Sequence, residues 1–182
     1  ETVHYLQKNG VSLRVISGDS PGTVSYIACR AGIANYDKVL TGAELEKISE
    51  EDWDNKVMDT TIFARILPEQ KERLVETFTR LGNFTGMVGD GINDALAIKK
   101  SDLGVAMYDG ATATRRVADI VLLNNSFNSL PLGMKLGNRI MQAIELIATL
   151  FFHKITYSIV LLLSTLALGI TYPFAPRHIT FM

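Results

Sequence analysis

The chain has 182 residues, 18 Lys and Arg against 19 Asp and Glu, a formal net charge of −1 and a single cysteine, Cys29. Balanced charge leaves no basic patch to argue for nucleic acid. One cysteine excludes an internal disulfide framework and suits a reducing compartment, and the length is enough to bury one good core with an appendage.

The first β-rich run is "SLRVI" (residues 12–16), which stops at "SGDSPG". A helix should follow. Ser20 is suited to cap it, Pro21 to take its first position and Gly32 to close it. Val24, Ile27, Ala28 and Ala31 would form its apolar face, and Cys29 among them is expected to be a small buried hydrophobe. "KVLTGAELEKI" predicts a strand, a turn at Gly42 and a short helix, and Ser49 with Asp52 has the spacing of a capping box. "TIFARI" is the next strand. Pro68 opens the helix after it, Leu74, Val75, Phe78 and Leu81 line one face, and Gly82 ends it. "FTGMV" is a strand leading to an acidic turn, a short helix and the strand "LGVAM". "ATATRRVA" and "DIVLL" supply one more helix and strand.

Strands alternating with helices imply an α/β fold with parallel pairing, right-handed crossovers and helices on both faces. Ligands of such folds sit outside the carboxyl ends of the strands. Two polar clusters fall at those ends, "SGDS" and "GDGIND".

After about residue 125 the charges thin out. Residues 155–176 carry none, and "ITYSIVLLLSTLALGI" is nearly all apolar. With the preceding turn it is long enough to cross a hydrocarbon core of ~30 Å; a buried core helix is the alternative. A nearly continuous helix is predicted from about residue 133 to 170, with Lys135 and Arg139 on its positive, inner side. Lys154 lies where such a helix meets the membrane, so it must snorkel, pair or lose its proton. The sharper alternative makes Lys154 a built-in cation in a transport path, with Thr156 and Ser158 as weak ligands close by.

Three clusters carry chemistry. In the acidic turn, Gly89 and Gly91 allow a tight bend, Asp90 is exposed at the strand end, and Asn93 or Asp94 can cap the next helix. Asp90 suits Mg²⁺, which takes one or two carboxylates plus phosphate and water; a plain turn with an Asp cap is the simpler reading. Ser17, Gly18 and Asp19 offer a hydroxyl and free N–H groups to a phosphate oxygen, or form an ordinary turn. Lys71 stands in the first turn of its helix, against the positive end of the macrodipole. It is either a point cation beside a phosphate or a solvated surface lysine. Placed around one sheet edge, the three would serve phosphoryl transfer, yet no residue is a convincing nucleophile.

Taken together, "ISGD", "FARILPEQK" and "MVGDGINDALAIKKSDLGVAM", followed by "VADIVLL" and a hydrophobic helix, resemble a P-type cation-transporting ATPase over essentially the whole chain. The resemblance implies a haloacid-dehalogenase-like (Rossmann-like) parallel sheet, the C-terminal part of a phosphorylation domain, over residues 1–126. A stalk, a transmembrane helix and an outer loop would occupy residues 127–182. "TYPFAPRHITFM" resembles the outer loop and next helix of a bacterial subgroup, some of whose members move Ca²⁺. By the same resemblance Asp90 is the Mg²⁺ ligand, Asn93 and Asp94 stand beside the phosphoryl group with Asp94 behind the direct metal ligands, and Lys71 contacts phosphate. Ser17, Gly18 and Asp19 fall where the family has Thr-Gly-Asp. Mg²⁺ is the implied cofactor and ATP the substrate. The implied partners are the rest of the same transporter (nucleotide-binding and actuator domains and other transmembrane helices), membrane lipid and the transported cation. A multi-pass place in the cell membrane follows, with residues 1 to about 150 cytoplasmic.

This sequence departs from the family at two motif positions. Ser17 in place of threonine keeps the hydroxyl, and Leu96 in place of proline should alter the loop's stiffness rather than its chemistry. The Asp-Lys-Thr-Gly-Thr phosphorylation motif, the nucleotide-binding domain and the actuator's Thr-Gly-Glu are absent, so the chain is expected to be a fragment that does not turn over ATP alone. A haloacid-dehalogenase phosphatase would use a similar acidic turn without needing the apolar tail. A membrane-anchored, non-catalytic phosphate- or metal-binding module would need the tail but not Lys71.

Overall fold

A computed structural model describes residues 1–170, so "TYPFAPRHITFM" lies outside the described residues. The chain divides into two compact units, Glu1–Pro131 and Leu132–Met182.

The first unit alternates helices and short strands. In order these are α1 (Thr2–Lys8), β1 (Val15–Ile16), α2 (Pro21–Ala31), β2 (Val39–Thr41), α3 (Gly42–Leu45), α4 (Glu50–Asp59) and β3 (Ile62–Ala64). There follow α5 (Pro68–Arg80), β4 (Gly86–Gly89), α6 (Ala95–Lys100), β5 (Leu103–Met107), α7 (Thr112–Val117) and β6 (Ile120–Leu122). Single 3-10 turns occupy Ile92–Asp94 and Phe127–Ser129. All pairing is parallel, as the alternation requires, but the strands form two sheets rather than one. Their orders are β1-β3-β2 and β4-β5-β6. The physical reason is that β1 bonds only to β3, and β4 only to β5, so each ends its sheet. Ser17 follows the edge of one sheet and Asp90 the edge of the other, which corrects the expectation of a single sheet edge carrying both.

Local chemistry explains most boundaries. Ser20 caps α2, accepting from the Thr23 N–H, Pro21 stands in its first turn, and Gly32 ends it in a left-handed conformation at φ 82°. Gly42 is not a turn but the first residue of α3. Thr41 and Glu44 make a capping box there, with the Thr41 N–H donating to Glu44 Oε2 at 2.8 Å. A side chain at Gly42 would lie 2.5 Å from the Arg65 carbonyl oxygen, so the helix start is pressed against the end of β3. Ser49 accepts from the Asp52 N–H at 3.2 Å, as its spacing predicts. β1 is shorter than "SLRVI" suggested, because only Val15 and Ile16 align with Ile62 and Phe63. The α2 face is also narrower than its sequence implied. Val24 and Ala28 are buried, whereas Ile27 is 58% exposed and Ala31 and Cys29 face solvent. Cys29 is therefore not a core residue; it lies one position beyond the buried Ala28, on the outward side of the helix.

The core centres on α5. Leu74 packs with Leu45, Trp53, Val57, Phe63 and Ile66, while its neighbour Val75 packs with Met87, Ala97 and Ile98. One helix thus closes both sheets' hydrophobic clusters from adjacent positions. Trp53 fastens α4 to α5: its indole N–H donates to Thr77 Oγ1 at 2.8 Å, and the Arg73 guanidinium lies 3.6 Å from the ring centre.

In the second unit the continuous helix expected from about residue 133 to 170 is present as α8 (Leu130–Leu168), 39 residues long. Pro131 is tolerated because the first turn has no N–H to lose from the ladder. At 1.5 Å per residue the helix spans about 58 Å, nearly twice a hydrocarbon core of ~30 Å. Among the described residues it is the one helix long and apolar enough to cross a membrane.

Leu74 is fully buried at the junction. Leu74→Ala should cost about 2–5 kcal/mol through lost transfer energy and a residual cavity, read by urea denaturation followed through the emission of Trp53, the sole tryptophan.

Candidate active site

The acidic turn begins where β4 ends. A Cβ at Gly89 would lie 2.6 Å from Asp94 Cβ and 2.8 Å from Asp94 Oδ2, so the strand can reach the turn only as glycine. The turn then closes on itself: the Asp94 N–H donates to the Gly91 carbonyl at 3.0 Å, and the Gly91 N–H donates to Asp94 Oδ2 at 3.2 Å. The other oxygen of Asp94 accepts from Lys71 Nζ at 2.7 Å. The two side chains are only 15% and 11% exposed, so this is a desolvated ion pair and not a surface one. Lys71 is accordingly no solvated surface lysine; its ammonium is drawn to the acidic turn from the first turn of α5. Asp94 does not cap α6 with its side chain, because both carboxylate oxygens are already engaged.

Asp90 differs from Asp94 in every respect. It is exposed, and its carboxylate has no hydrogen bond or ion pair among the described residues. Its backbone is held, however. The Ala111 N–H donates to the Asp90 carbonyl at 2.7 Å, and the Thr114 hydroxyl donates to the Gly91 carbonyl at 2.7 Å. Asn93 is exposed beside it with its amide free of any hydrogen bond among the described residues.

The serine turn is built differently. Ser17 Oγ donates to Asp19 Oδ2 at 3.3 Å and accepts from the Asp19 N–H at 3.1 Å. Its backbone is stitched to the end of β3: the Ser17 N–H donates to the Phe63 carbonyl, the Ile66 N–H to that of Ser17, and the Arg65 N–H to that of Asp19. Open space surrounds Gly18 where a side chain would stand. The turn is thus joined to the β3–α5 connection that leads to Lys71, and its hydrogen bonds do not reach the acidic turn. Arg65 lies at that crossing with a φ of 52°, a left-handed backbone that a residue with a side chain adopts at a cost.

Among the described residues no three His, Cys, Asp or Glu side chains gather as a ready-made metal cage. Mg²⁺ does not need such a cage, because it keeps several waters and takes one or two carboxylates together with substrate oxygens. The Asp90 carboxylate is free for such a role, whereas the Asp94 carboxylate is engaged by Lys71 and Gly91.

In α8, Lys154 and Ser158 share a face, with the Ser158 hydroxyl donating to the Lys154 carbonyl at 2.9 Å. Thr156 lies two positions on, about 200° round the helix from Lys154, and so points away from both. Nearness in the chain therefore does not put the three on one face.

Residues 1–102 match the profile of the haloacid dehalogenase-like hydrolases, described as "Hydrolase: haloacid dehalogenase-like hydrolase". The chain belongs to that family. Its relatives include the probable cation-transporting ATPase exp7 of Streptococcus pneumoniae, 39% identical over 99% of this chain and 24% of that protein. The calcium-transporting ATPase CtpE of Mycolicibacterium smegmatis is 36% identical over the same shares. Among solved structures, a zinc-transporting PIB-type ATPase in its E2.Pi state is 26% identical with a TM-score of 0.64, covering 94% of this chain and 23% of its own. The chain therefore spans about a quarter of the length of the curated relatives it matches. The resemblance to cation-transporting P-type ATPases carried by its three motifs is borne out along nearly all its length.

Two contacts of the acidic turn were not legible in sequence, those from Ala111 and Thr114, since "GATAT" has no spacing that marks it. For Lys71→Met, Asp94 would remain buried with half its partners gone. We expect a loss of about 3–5 kcal/mol in urea denaturation, larger than that of Lys38→Met, whose partner Asp59 is solvent-exposed.

Proposed function

We propose that this chain is one segment of an ATP-driven P-type cation pump, with residues 1–126 completing its phosphorylation domain and the helix that follows supplying the stalk and a transmembrane span. The observation that carries the reading is the division of labour in the acidic turn. Lys71 neutralises Asp94 and leaves Asp90 free, on a chain whose relatives are named as cation-transporting ATPases over 99% of its length.

The residues divide the work by their surroundings. Asp90 would hold Mg²⁺ together with phosphoryl oxygens and water, and the cation when bound neutralises charge on those oxygens. Lys71 fixes Asp94 and adds positive charge beside the turn, where it favours a phosphate. Asn93 offers its amide at the same rim. Ser17 would contact phosphate by rotating its hydroxyl away from Asp19, and the Gly18 N–H has open space before it. The edge strands β1 and β4 support the reading too. Each precedes a cluster that the reaction needs, and each has a free side for a further strand, such as one carrying the acceptor aspartate. ATP is the proposed phosphoryl donor, and the nucleotide-binding and actuator domains are the proposed partners. In the full-length transporter, Asp90→Asn should lower Mg²⁺-dependent phosphoenzyme formation from labelled ATP by at least about 100-fold. Wild-type levels on an acid gel would remove Asp90 from the metal site.

α8 is the proposed link from that site to the ion path, lying in lipid over its apolar stretch with residues up to about 150 on the cytoplasmic side. The names of two calcium-transporting relatives make Ca²⁺ the first cation to test. Lys154 and Ser158 are proposed to face the path, with Lys154 as a fixed positive charge. Thr156, on the other side of the helix, is the weaker candidate. Lys154→Ala should then change which cations stimulate ATPase activity. An unaltered cation profile with normal phosphorylation would make Lys154 a snorkelling residue.

A further inference from the structure

Building on the reading of Asp90 as the Mg²⁺ ligand, we infer that Thr114 is a positioning residue for that carboxylate, holding the backbone from which Asp90 projects. The Asp90 carboxylate makes no hydrogen bond or ion pair among the described residues, so no polar partner fixes it and its place follows the main chain. That main chain runs between two glycines, Gly89 and Gly91, whose conformational freedom is large. Asp94 closes the Gly91 end of the turn from within; the remaining definition must come from outside it.

It comes from the loop and first residues of α7. The Ala111 N–H holds the Asp90 carbonyl and the Thr114 hydroxyl holds the next one, Gly91, each at 2.7 Å. Gly110 is pressed against the same peptide: a Cβ there would stand 2.7 Å from the Asp90 carbonyl oxygen and 3.0 Å from Asp90 Cα. Two consecutive carbonyls are thus gripped by one short segment. Thr114 is fully buried, and its hydroxyl is not used as helical threonines and serines ordinarily use theirs. Thr77 and Ser158 donate to the carbonyl four residues back in their own helices. Thr114 reaches instead to a residue 23 positions earlier. Groups that orient a metal ligand from behind typically change metal affinity by about 10–100-fold when removed.

Thr114→Val keeps the shape and deletes the hydroxyl, and the test uses the full-length transporter. Two quantities are read: amide hydrogen exchange across residues 89–94 without metal, and the Mg²⁺ concentration giving half-maximal thermal stabilisation. We expect faster exchange in the turn and a half-saturating Mg²⁺ concentration raised about 10–100-fold, with Thr114→Ser restoring both. A residue that served only general stability would lower the melting temperature and leave the Mg²⁺ dependence in place. That result in a folded Thr114→Val protein overturns the inference. Should Thr114→Val fail to fold, Gly110→Ala applies the same test by displacing the Asp90 peptide, and a wild-type Mg²⁺ dependence there also overturns it. Asp90→Asn separates the two readings. If it leaves the Mg²⁺ dependence unaltered, Asp90 is not the ligand, and unchanged exchange in Thr114→Val then rejects the clamp independently, whereas faster exchange upholds it.

Discussion

A lysine and an aspartate withdrawn together from solvent set the geometry on which the rest of this domain turns. Lys71 comes from the helix that follows the first sheet, and Asp94 from the turn that follows the first strand of the second. Each would be costly to bury alone. Because the pair is desolvated, its value is less in net stability than in the arrangement it enforces: Lys71 can be satisfied only when α5 and the acidic turn meet in one register. The Asp94 carboxylate in turn bonds the Gly91 N–H, so the ion pair is continuous with the bend that presents Asp90.

Hydrophobic packing repeats that logic. Leu74 and Val75 face different clusters from successive positions of one helix, and those clusters belong to different sheets. The helix is therefore the shared wall of the first unit. Its N-terminal turn supplies the cation, its middle supplies the core, and Arg73 and the buried Thr77 fasten it to Trp53. A displacement of α5 along its axis would move the ammonium and both cores together.

Much of this could be read from sequence because caps, glycines and alternation are local signals. Ser20, Ser49 and Pro68 open helices where their chemistry requires, and Gly32 and Gly82 close them with left-handed backbones. The motifs also brought Lys71 and the acidic turn under suspicion together, and the ion pair joins them. What the sequence could not reveal was relational. Nothing in "SLRVI" says that only its last two residues find a partner, and nothing in the strand pattern says that β1 and β4 end separate sheets. The exposure of Cys29 was missed because neighbouring apolar residues on a helix point in different directions. The hydroxyl of Thr114 was invisible for a different reason: its partner is distant in the chain, and no periodicity encodes such a contact.

The strand registers carry a consequence for how the domain assembles. In the first sheet Val15 must find Ile62, whereas in the second Gly86 finds Leu103 and Val105 finds Ile120. Closing a loop about a third as long costs roughly 1 kcal/mol less in chain entropy, and short-range pairing is favoured early in folding. Val39 finds Ile62 across a loop nearly as short as those of the second sheet, so the extra cost falls on adding β1 and not on starting the first sheet. The serine turn waits on a two-residue strand recruited across a long intervening stretch of chain.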